Sequence, residues 1–258
     1  MDILQKLKII EENHLAHFVF LPKKLGFKVT DIHGITTIYC KLPSSMFNIA
    51  YGAYGVPRTF KVSASVQQIK EIFARHPFAW WIPPSQHNPE LTKTLLDNHF
   101  IIEAVEQAML CDLSIVKIPP SKTDLQIKPV TNGLLLQDFI NILKFYDSSV
   151  VHFYKLLNDD LLQLQEKFFV GYKEDKPITI GILFVSKNSA GIFTLLTKEE
   201  LRGQGYGTDM MVFLMNIAKQ ADCQFVTLLA SSDSGYRIYE RLGFRPVGTF
   251  ECFEYKGG

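Results

Sequence analysis

The chain has 258 residues, of which 47% are hydrophobic, so it is long enough to bury two ordinary domains or one large one. Its formal net charge of +1 excludes a strong overall field toward nucleic acid or an acidic membrane surface. No apolar run approaches the roughly 20 residues that cross a bilayer, and the charged segment 1–12 does not resemble a signal peptide. We therefore expect a cytoplasmic protein with no nucleic-acid partner and no membrane partner.

The cysteines are separated by long stretches of sequence and form no Cys-x-x-Cys motif. They are Cys40, Cys111, Cys223 and Cys252. The histidines contain no pair at the spacing of a zinc site. The sequence therefore predicts buried thiols in a reducing compartment, and no metal site.

The start of the chain contains a helical pattern followed by strand-like segments. Apolar residues at helical spacing in residues 1–20 predict a helix that ends at Leu21-Pro22. Strands rich in β-branched and aromatic residues are predicted at 27–31, 36–41 and 47–51. A loop is predicted at Gly52, Gly55 and Pro57.

A second set of elements follows before residue 117. Ser65 begins a predicted helix that ends at Pro77, and the apolar run 78–82 predicts a buried strand. Asn88-Pro89-Glu90 has the residues of a helix start, with Asn as N-cap and Pro at the first helical position. A long strand is predicted at 100–116. The order of the first part is therefore αβββαβαβ.

Tryptophans and histidines in this part suggest an aromatic cage or a metal site. Trp80 and Trp81 are adjacent on a strand, so they point to opposite faces and cannot form one cage wall together. We expect both to pack in the core. His76, His87 and His99 show no i, i+4 pairing and are expected at the surface or the edge of the core.

Residues 117–122, which include two prolines, form a predicted linker. Beyond it, strands are predicted at 125–129, 168–172, 178–184, 191–197 and 224–229, with helices at 134–145, 150–165, 208–221 and from 232 onward.

Glycines at alternate positions lie where a predicted strand gives way to a predicted helix. They are Gly203, Gly205 and Gly207, directly after Arg202. Glycine allows close approach of the backbone to a ligand, and the first amides of a helix have no intrahelical partner. Such amides bind phosphate well, and an arginine at a helix start favours a nearby anion. The alternative is a glycine-rich connection with no ligand.

Two other glycine motifs are excluded by residue identity. A dinucleotide fingerprint would need Gly or Ala at position 208 or 210, where Thr208 and Met210 stand. A Walker A loop would end in Gly-Lys-Ser/Thr, which does not occur here.

The order Arg202-x-x-Gly205-x-Gly207, between a strand and a helix, resembles the acyl-CoA pyrophosphate loop of the GCN5-related N-acetyltransferase (GNAT) family. The run Tyr239-Glu-Arg-Leu-Gly243-Phe244 resembles the second signature of this family, at the separation that the family shows. The resemblance covers roughly residues 125–258. It implies an α+β fold with a mixed sheet, the acyl-CoA N-acyltransferase fold.

The first half is similar to the N-terminal half of some two-domain members of this family. No Arg-x-x-Gly-x-Gly loop occurs before residue 125. The resemblance therefore implies tandem GNAT-like domains, with a degenerate N-terminal domain at 1–118 and an acetyltransferase domain at 123–258. We expect the segment 123–258 to bind acetyl-CoA by itself and the segment 1–118 not to bind it.

The resemblance also implies the residues of the donor site. The pyrophosphate would be held by Arg202, Gly203, Gln204, Gly205, Tyr206, Gly207 and Thr208. The pantetheine arm would pair with Leu195, Leu196 and Thr197, where a main-chain N–H near Leu195 or Leu196 polarises the thioester carbonyl. Tyr239 would protonate the leaving sulfur, with Tyr236 as the rival phenol. Asp233 departs from the asparagine that the family often has at this helix start.

The resemblance implies acetyl-CoA-dependent transfer of an acetyl group to a primary amine of a small molecule or a protein. Asp147, His152 and Glu251 are candidates for the general base by residue type, and the spacing does not choose among them. The amine could also be deprotonated through water. The alternative function is a non-catalytic acyl-CoA-binding or scaffolding protein that keeps the fold.

Overall fold

The structure is a computed structural model that describes residues 1–53, 62–74 and 76–257. Of the predicted loop at Gly52, Gly55 and Pro57, the last two residues lie outside the described part of the chain. We refer to residues 1–118 as the first half and to residues 123–258 as the second half.

The elements of the first half follow the predicted order αβββαβαβ. They are α1 (Ile3–Lys24), β1 (Lys28–Ile32), β2 (Ile35–Tyr39), β3 (Asn48–Tyr51), α2 (Val62–Phe73), β4 (Phe78–Ile82), α3 (Pro89–Asp97) and β5 (Ile101–Asp112). The Asn88 side chain caps α3 by accepting hydrogen bonds from the amides of Glu90 and Leu91, as its sequence predicts.

The second half begins with a strand and ends with a strand. Its elements are β6 (Gln126–Pro129), α4 (Gly133–Leu143), α5 (Val151–Tyr154), β7 (Glu166–Lys173), β8 (Lys176–Ser186), β9 (Ser189–Thr197), α6 (Tyr206–Gln220), β10 (Phe225–Ala230), α7 (Asp233–Arg241) and β11 (Arg245–Tyr255). This order agrees with the sequence prediction.

The predicted end of the first helix at Leu21-Pro22 is wrong, because α1 continues to Lys24. The helix ends one turn later, where Gly26 has a φ of 78°. The amide of Gly26 donates to the Lys23 carbonyl at 3.1 Å, and that of Phe27 donates to the Pro22 carbonyl at 2.9 Å. This is a Schellman motif, so the glycine stops the helix and the proline does not.

The predicted helix at 150–165 is also wrong, because only Val151–Tyr154 is α-helical. The Asn158 side chain accepts a hydrogen bond from the Leu161 amide at 3.0 Å and turns the chain. Asn and Asp side chains compete with helical hydrogen bonds in this way. The apolar residues Phe153 and Leu157 are nevertheless buried. The apolar pattern therefore indicated which residues are buried, but it did not indicate their secondary structure.

All strands join in one 11-stranded sheet in the order β1-β2-β3-β4-β11-β5-β10-β9-β8-β7-β6. The last strand of each half lies among strands of the other half. The strand β11 pairs antiparallel with β4 and β5, and β5 pairs antiparallel with β11 and β10. The two halves therefore exchange their final strands across the centre of the sheet.

Helices cover both faces of this sheet. The helices α1, α4 and α5 pack on one face, in a core that includes Ile10, Phe139 and Phe153. The opposite face is covered by α6 and α7 in the second half and by α2 and α3 in the first half. The helix α1 also contacts β7, β8 and β9, so a helix of the first half lies over the sheet of the second half.

The cysteines are all buried and free, as predicted. The tryptophans point to opposite faces as predicted: Trp80 is fully buried beneath α2 and α3, while Trp81 packs against the ring of Phe18 on α1.

Candidate active site

The parallel strands β9 and β10 separate in the middle of the sheet. Within the described part of the chain, their pairing runs from Ser189↔Phe225 to Gly191↔Thr227 and goes no further. The strand β9 continues to Thr197, so its residues 192–197 face a gap. Ligands of open α/β sheets bind at such openings beyond the carboxyl ends of parallel strands.

A bulge in β9 lies beside this gap. The register of β9 with β8 shifts between Ile182↔Phe193 and Ile180↔Leu196. Thr194 within the bulge has a φ of 51°, which is strained for a β-branched residue. Its side chain lies close to that of the buried Tyr154. Bulges and strained residues of this kind cluster at functional sites.

The glycine loop connects the end of β9 to the start of α6. Gly203 and Gly205 have φ values of 76° and 94°, which favour glycine. Gly205 is the N-cap of α6, so no side chain caps the first amides of this 15-residue helix. A Cβ atom on Gly207 would lie 3.3 Å from the Thr197 hydroxyl oxygen, so the start of the helix packs closely against the end of β9.

Arg202 is held at the entrance of α6 by groups at the end of β9. Its Nη2 donates to the Tyr146 hydroxyl at 2.6 Å, and its Nε donates to the Thr197 carbonyl at 3.3 Å. The Tyr146 hydroxyl donates to the same carbonyl at 2.7 Å. The guanidinium group is exposed and remains available to an anion bound at the helix start. The sequence prediction did not include Tyr146.

Asp209 lies in the first turn of α6, but its carboxylate binds the end of the linker. It is 2% exposed, and its carboxylate accepts hydrogen bonds from the amides of Lys122 and Thr123 and from the Thr123 hydroxyl. Asp209 therefore fastens the end of the linker to α6 and is not aimed at the glycine loop.

A cleft of about 320 Å³ continues from the gap between β9 and β10. We call it the central cleft. The second half contributes Leu195, Leu196, Leu229 and Tyr239. The first half contributes side chains from α1, β2, β3, β4 and β5, among them His14, His17, Trp81 and Glu106. The site is therefore composed of both halves of the chain.

Tyr239 lines the central cleft, whereas Tyr236, one turn earlier on α7, does not; both rings are partly buried and pack against the core that includes α6. Burial and the nearby Glu106 carboxylate raise the pKa of Tyr239 to about 12, so its phenol stays protonated at neutral pH. Gly235 makes room for this ring, because a Cβ atom there would lie 3.3 Å from the Tyr239 hydroxyl oxygen.

The candidate bases from the sequence do not line the central cleft. Asp147 accepts hydrogen bonds from the Ser149 amide and hydroxyl and caps a turn. His152 is exposed. Glu251 accepts a hydrogen bond from Thr92 and contacts His87, whose ring is largely exposed.

The sequence analysis missed a buried acid and a histidine that do line the cleft. Glu166 Oε1 lies 3.3 Å from His17 Nε2, with side chains that are 3% and 16% exposed. The signal for Glu166 was present, because residues 166, 168, 170 and 172 share one face of β7 and the last three are apolar or aromatic. No local signal pairs residue 17 with residue 166.

In residues 1–53, 62–74 and 76–257, no group of three or more His, Cys, Asp or Glu side chains could hold a metal ion. Over the same ranges, no helix has both the length and the apolar character needed to cross a membrane.

Residues 165–246 match the family model of the acetyltransferase (GNAT) domain. This segment includes the glycine loop, the bulge in β9 and Tyr239. Among curated proteins, no sequence matches the chain significantly.

Solved structures resemble the chain over nearly its whole length. A GCN5-related N-acetyltransferase from Kribbella flavida has a TM-score of 0.74 at 16% identity, covering 97% of this chain and 96% of that one. A conserved protein of unknown function from Staphylococcus epidermidis has a TM-score of 0.69 at 14% identity, covering 91% and 96%. A tandem GNAT protein from clavulanic acid biosynthesis has a TM-score of 0.54 at 9% identity, covering 81% and 76%. The chain therefore has the acyl-CoA N-acyltransferase fold that the sequence predicted.

Proposed function

We propose that the protein is an acetyl-CoA-dependent N-acetyltransferase that acetylates a primary amine. The match of residues 165–246 to the GNAT domain supports an acyltransferase in general. The observation that carries the finer proposal is the uncapped start of α6 at Gly205, placed next to the gap between β9 and β10. A helix start with uncapped amides and an unpaired strand edge thus lie side by side.

The residues at this place fit the donor. The free amides at the start of α6, from Gly205 to Thr208, would hold the pyrophosphate, helped by the dipole of α6 and by Arg202. The unpaired edge of β9, Leu195 to Thr197, would bind the pantetheine arm through backbone hydrogen bonds, as strand-addition sites do. Bound acetyl-CoA supplies the acetyl group as a reactive thioester.

Two groups of the chain would act on the reaction. A main-chain N–H at Leu195 or Leu196 would stabilise negative charge on the carbonyl oxygen, a contribution of about 2.7–4 kcal/mol in comparable sites. The Tyr239 hydroxyl would protonate the leaving sulfur. Because its pKa of about 12 lies well above that of a thiol, we expect a contribution near the low end of the usual range of about 10²–10⁴-fold.

The division into domains at 1–118 and 123–258 remains a proposal. The exchange of final strands means that each of these domains would need the other to complete its sheet. The first half contributes β5 to the sheet of the second half and α1 to the cleft. We propose that the first half shapes the acceptor site and has no donor site of its own. A cytoplasmic location is proposed from the free buried thiols.

The test is acetyl-CoA binding by calorimetry, followed by release of free thiol in the presence of mixed primary amines. The proposal predicts saturable binding and amine-dependent thiol release. Binding without release for any amine would favour the non-catalytic acyl-CoA-binding function. Absence of binding would contradict the proposal.

A further inference from the structure

The buried carboxylate of Glu166 is incompletely paired. Its Oε1 lies 3.3 Å from His17 Nε2, while its Oε2 is buried without a hydrogen-bond partner in the described structure. A buried carboxylate is costly unless a cation or several hydrogen-bond donors compensate its charge. Glu166 lines the central cleft, so the compensating group can come from a ligand in that cleft.

His17 places an imidazole between this carboxylate and the bulge of β9. Its ring stacks on Phe193 with centroids 3.6 Å apart and planes within 6°. Phe193 precedes Thr194, where the bulge begins. The His17 Nδ1 atom also has no hydrogen-bond partner in the described structure. The Glu166 carboxylate, 3.3 Å from Nε2, favours the tautomer with its proton on Nε2, so Nδ1 is the atom that can accept a proton.

The walls around this pair are apolar and largely aromatic. They include Phe18, Leu21, Phe47, Trp81 and Phe153. No Lys or Arg is among the described residues that line the central cleft, and its acids are Glu106 and Glu166. A ligand that complements this cleft therefore carries a positive charge beside Glu166, an apolar body and no negative charge. The other acid, Glu106, lies beside Tyr239, where the thioester would be bound, so it does not call for a second charge on the acceptor.

We propose that Glu166 binds the acceptor as its ammonium form, that His17 deprotonates it, and that the acceptor is a singly charged primary amine with an aromatic or similarly apolar body. This inference rests on the proposed function. His17 is thus a catalytic residue contributed by the first half, and Glu166 orients its ring and binds the charge.

His17 Nδ1 takes one proton from R–NH₃⁺, and Glu166 stabilises the resulting imidazolium. The amine lone pair forms the new N–C bond while the C–S bond breaks and its electron pair stays on sulfur. Tyr239 protonates that sulfur and is restored by the second proton lost from nitrogen. His17 returns its proton to solvent, so the products are an amide, a thiol and one proton.

The chain contains a matched control pair. His87 Nε2 and Glu251 Oε1 lie 2.8 Å apart and also join the two halves, but their side chains are 54% and 21% exposed. Neither residue lines the central cleft. The two pairs consist of the same residue types and differ in position. Variants of His87 and Glu251 therefore report the effect of losing a Glu–His contact outside the cleft.

The first arm of the test uses the unmodified full-length chain saturated with CoA, where no acetyl transfer occurs. Calorimetry compares 2-phenylethylamine with 2-phenylethanol, which has the same shape and no charge. We expect the amine to bind at least about tenfold more tightly, since a buried carboxylate discriminates by charge. Equal affinity, or no binding of the amine, would overturn the inference without any variant having to fold.

The second arm measures turnover with acetyl-CoA. We expect kcat/KM for 2-phenylethylamine to exceed those for phenylalanine and putrescine by about tenfold or more, because each of these adds a second charge that must be desolvated. A preference for putrescine or phenylalanine would overturn the assigned acceptor class.

The third arm uses variants. Glu166→Gln should raise KM for the amine by about 100-fold, and His17→Gln should lower kcat by about 100-fold, as expected for a lost charge contact and a lost base. Both should keep the acetyl-CoA Kd of the unmodified protein. Glu251→Gln and His87→Gln should keep all three values. Unchanged amine kinetics in folded Glu166→Gln and His17→Gln would overturn the inference. Failure of the unmodified chain to bind acetyl-CoA would instead overturn the proposed function.

Discussion

The two halves of the chain each contain a pair of parallel strands joined through a helix, and within the described residues the pair in the second half opens while the pair in the first half does not. In the first half, β3 ends at Tyr51, directly after its last pairing with Trp81 of β4. Side chains and backbone then close this end: Trp80 Nε1 donates to the Gly52 carbonyl at 3.0 Å, and the Gly52 amide donates to the Trp81 carbonyl at 2.9 Å. Among the residues described up to Ala53, β3 has no extension beyond its pairing with β4.

In the second half, β9 extends from Ile192 to Thr197 beyond its last pairing with β10. The bulge at Thr194 turns this extension, and the glycine loop follows it. The two regions share the order of strand, helix and strand and differ in whether the first strand extends beyond its pairing with the second. We propose that this extension, together with the uncapped start of α6, makes the second region the donor site.

The largest expected effect comes from expressing the two halves of the chain separately. Expressed alone, the segment 123–258 would lack β5, and its own β11 would lose both neighbours, β4 and β5. The fold therefore leads us to revise the expectation that this segment binds acetyl-CoA by itself. We expect neither 1–118 nor 123–258 to unfold cooperatively alone, and the co-expressed segments to assemble and bind acetyl-CoA. Circular dichroism melting and calorimetry check this, and an independently folded 123–258 segment that binds acetyl-CoA would restore the two-domain expectation.

The next effect concerns the open region alone. Gly205→Val places a β-branched residue at a φ of 94°, a conformation that costs an L-residue roughly 1–2 kcal/mol or more, so the loop should rearrange. We expect the thermal shift given by acetyl-CoA to disappear.

Gly26→Val is the matched control, since Gly26 also has a positive φ of 78° but ends α1. This variant should melt at a lower temperature and keep the acetyl-CoA shift. A preserved shift in Gly205→Val would mean that the glycine loop is not the donor site.

A smaller effect is expected from the phenol in the cleft. Tyr239→Phe should lower kcat by about 10²-fold and leave acetyl-CoA affinity unchanged, because the hydroxyl would act only on the leaving sulfur. Tyr236→Phe is the control on the same helix, since Tyr236 does not line the central cleft. Full activity of Tyr239→Phe would remove Tyr239 from the mechanism, and a large loss in Tyr236→Phe would transfer the role to that residue.

The smallest expected effect concerns His14 on α1. It tests whether water is excluded from the contact between this helix and the sheet. Complete burial, together with the neighbouring His17, lowers the pKa of His14 well below its ordinary value of 6.5. Below about pH 6.5 the unfolded chain therefore binds a proton that the folded protein excludes. The free energy of unfolding should fall as pH decreases, by at most about 1.4 kcal/mol per pH unit from this group.

Chemical denaturation at a series of pH values measures this dependence. His14→Phe should flatten the slope between about pH 6.5 and 5, whereas replacement of the exposed His99 by Gln should leave it unchanged. An identical slope in His14→Phe would show that His14 is not excluded from protonation.

Local patterns predicted the order of elements because most helices and strands carry their own signals. Asn88 caps α3 and the glycines mark the start of α6, where conformation is decided by residues close in sequence. The errors arose where a second local signal prevailed. Gly26 rather than Pro22 ends α1, and Asn158 turns the chain inside an otherwise helical pattern.

The composition of the cleft could not be predicted from local patterns. β11 lies between β4 and β5, which are distant from it in sequence. No short segment of sequence determines this pairing. The contact between His17 and Glu166 depends on α1 crossing the sheet of the second half. The proposed donor side of the site was therefore expected from the resemblance, while the proposed acceptor side depends on contacts that form only in the assembled fold.

Hydrogen–deuterium exchange of the full-length protein with and without CoA tests the central claim most directly. The account predicts slower exchange for the amides of residues 195–197 and 205–208, with no change at 48–52 and 78–82, because, of these four described segments, the first two have backbone groups free for the ligand. Protection at 48–52 and 78–82, or unchanged exchange at 205–208 under saturating CoA, would contradict it.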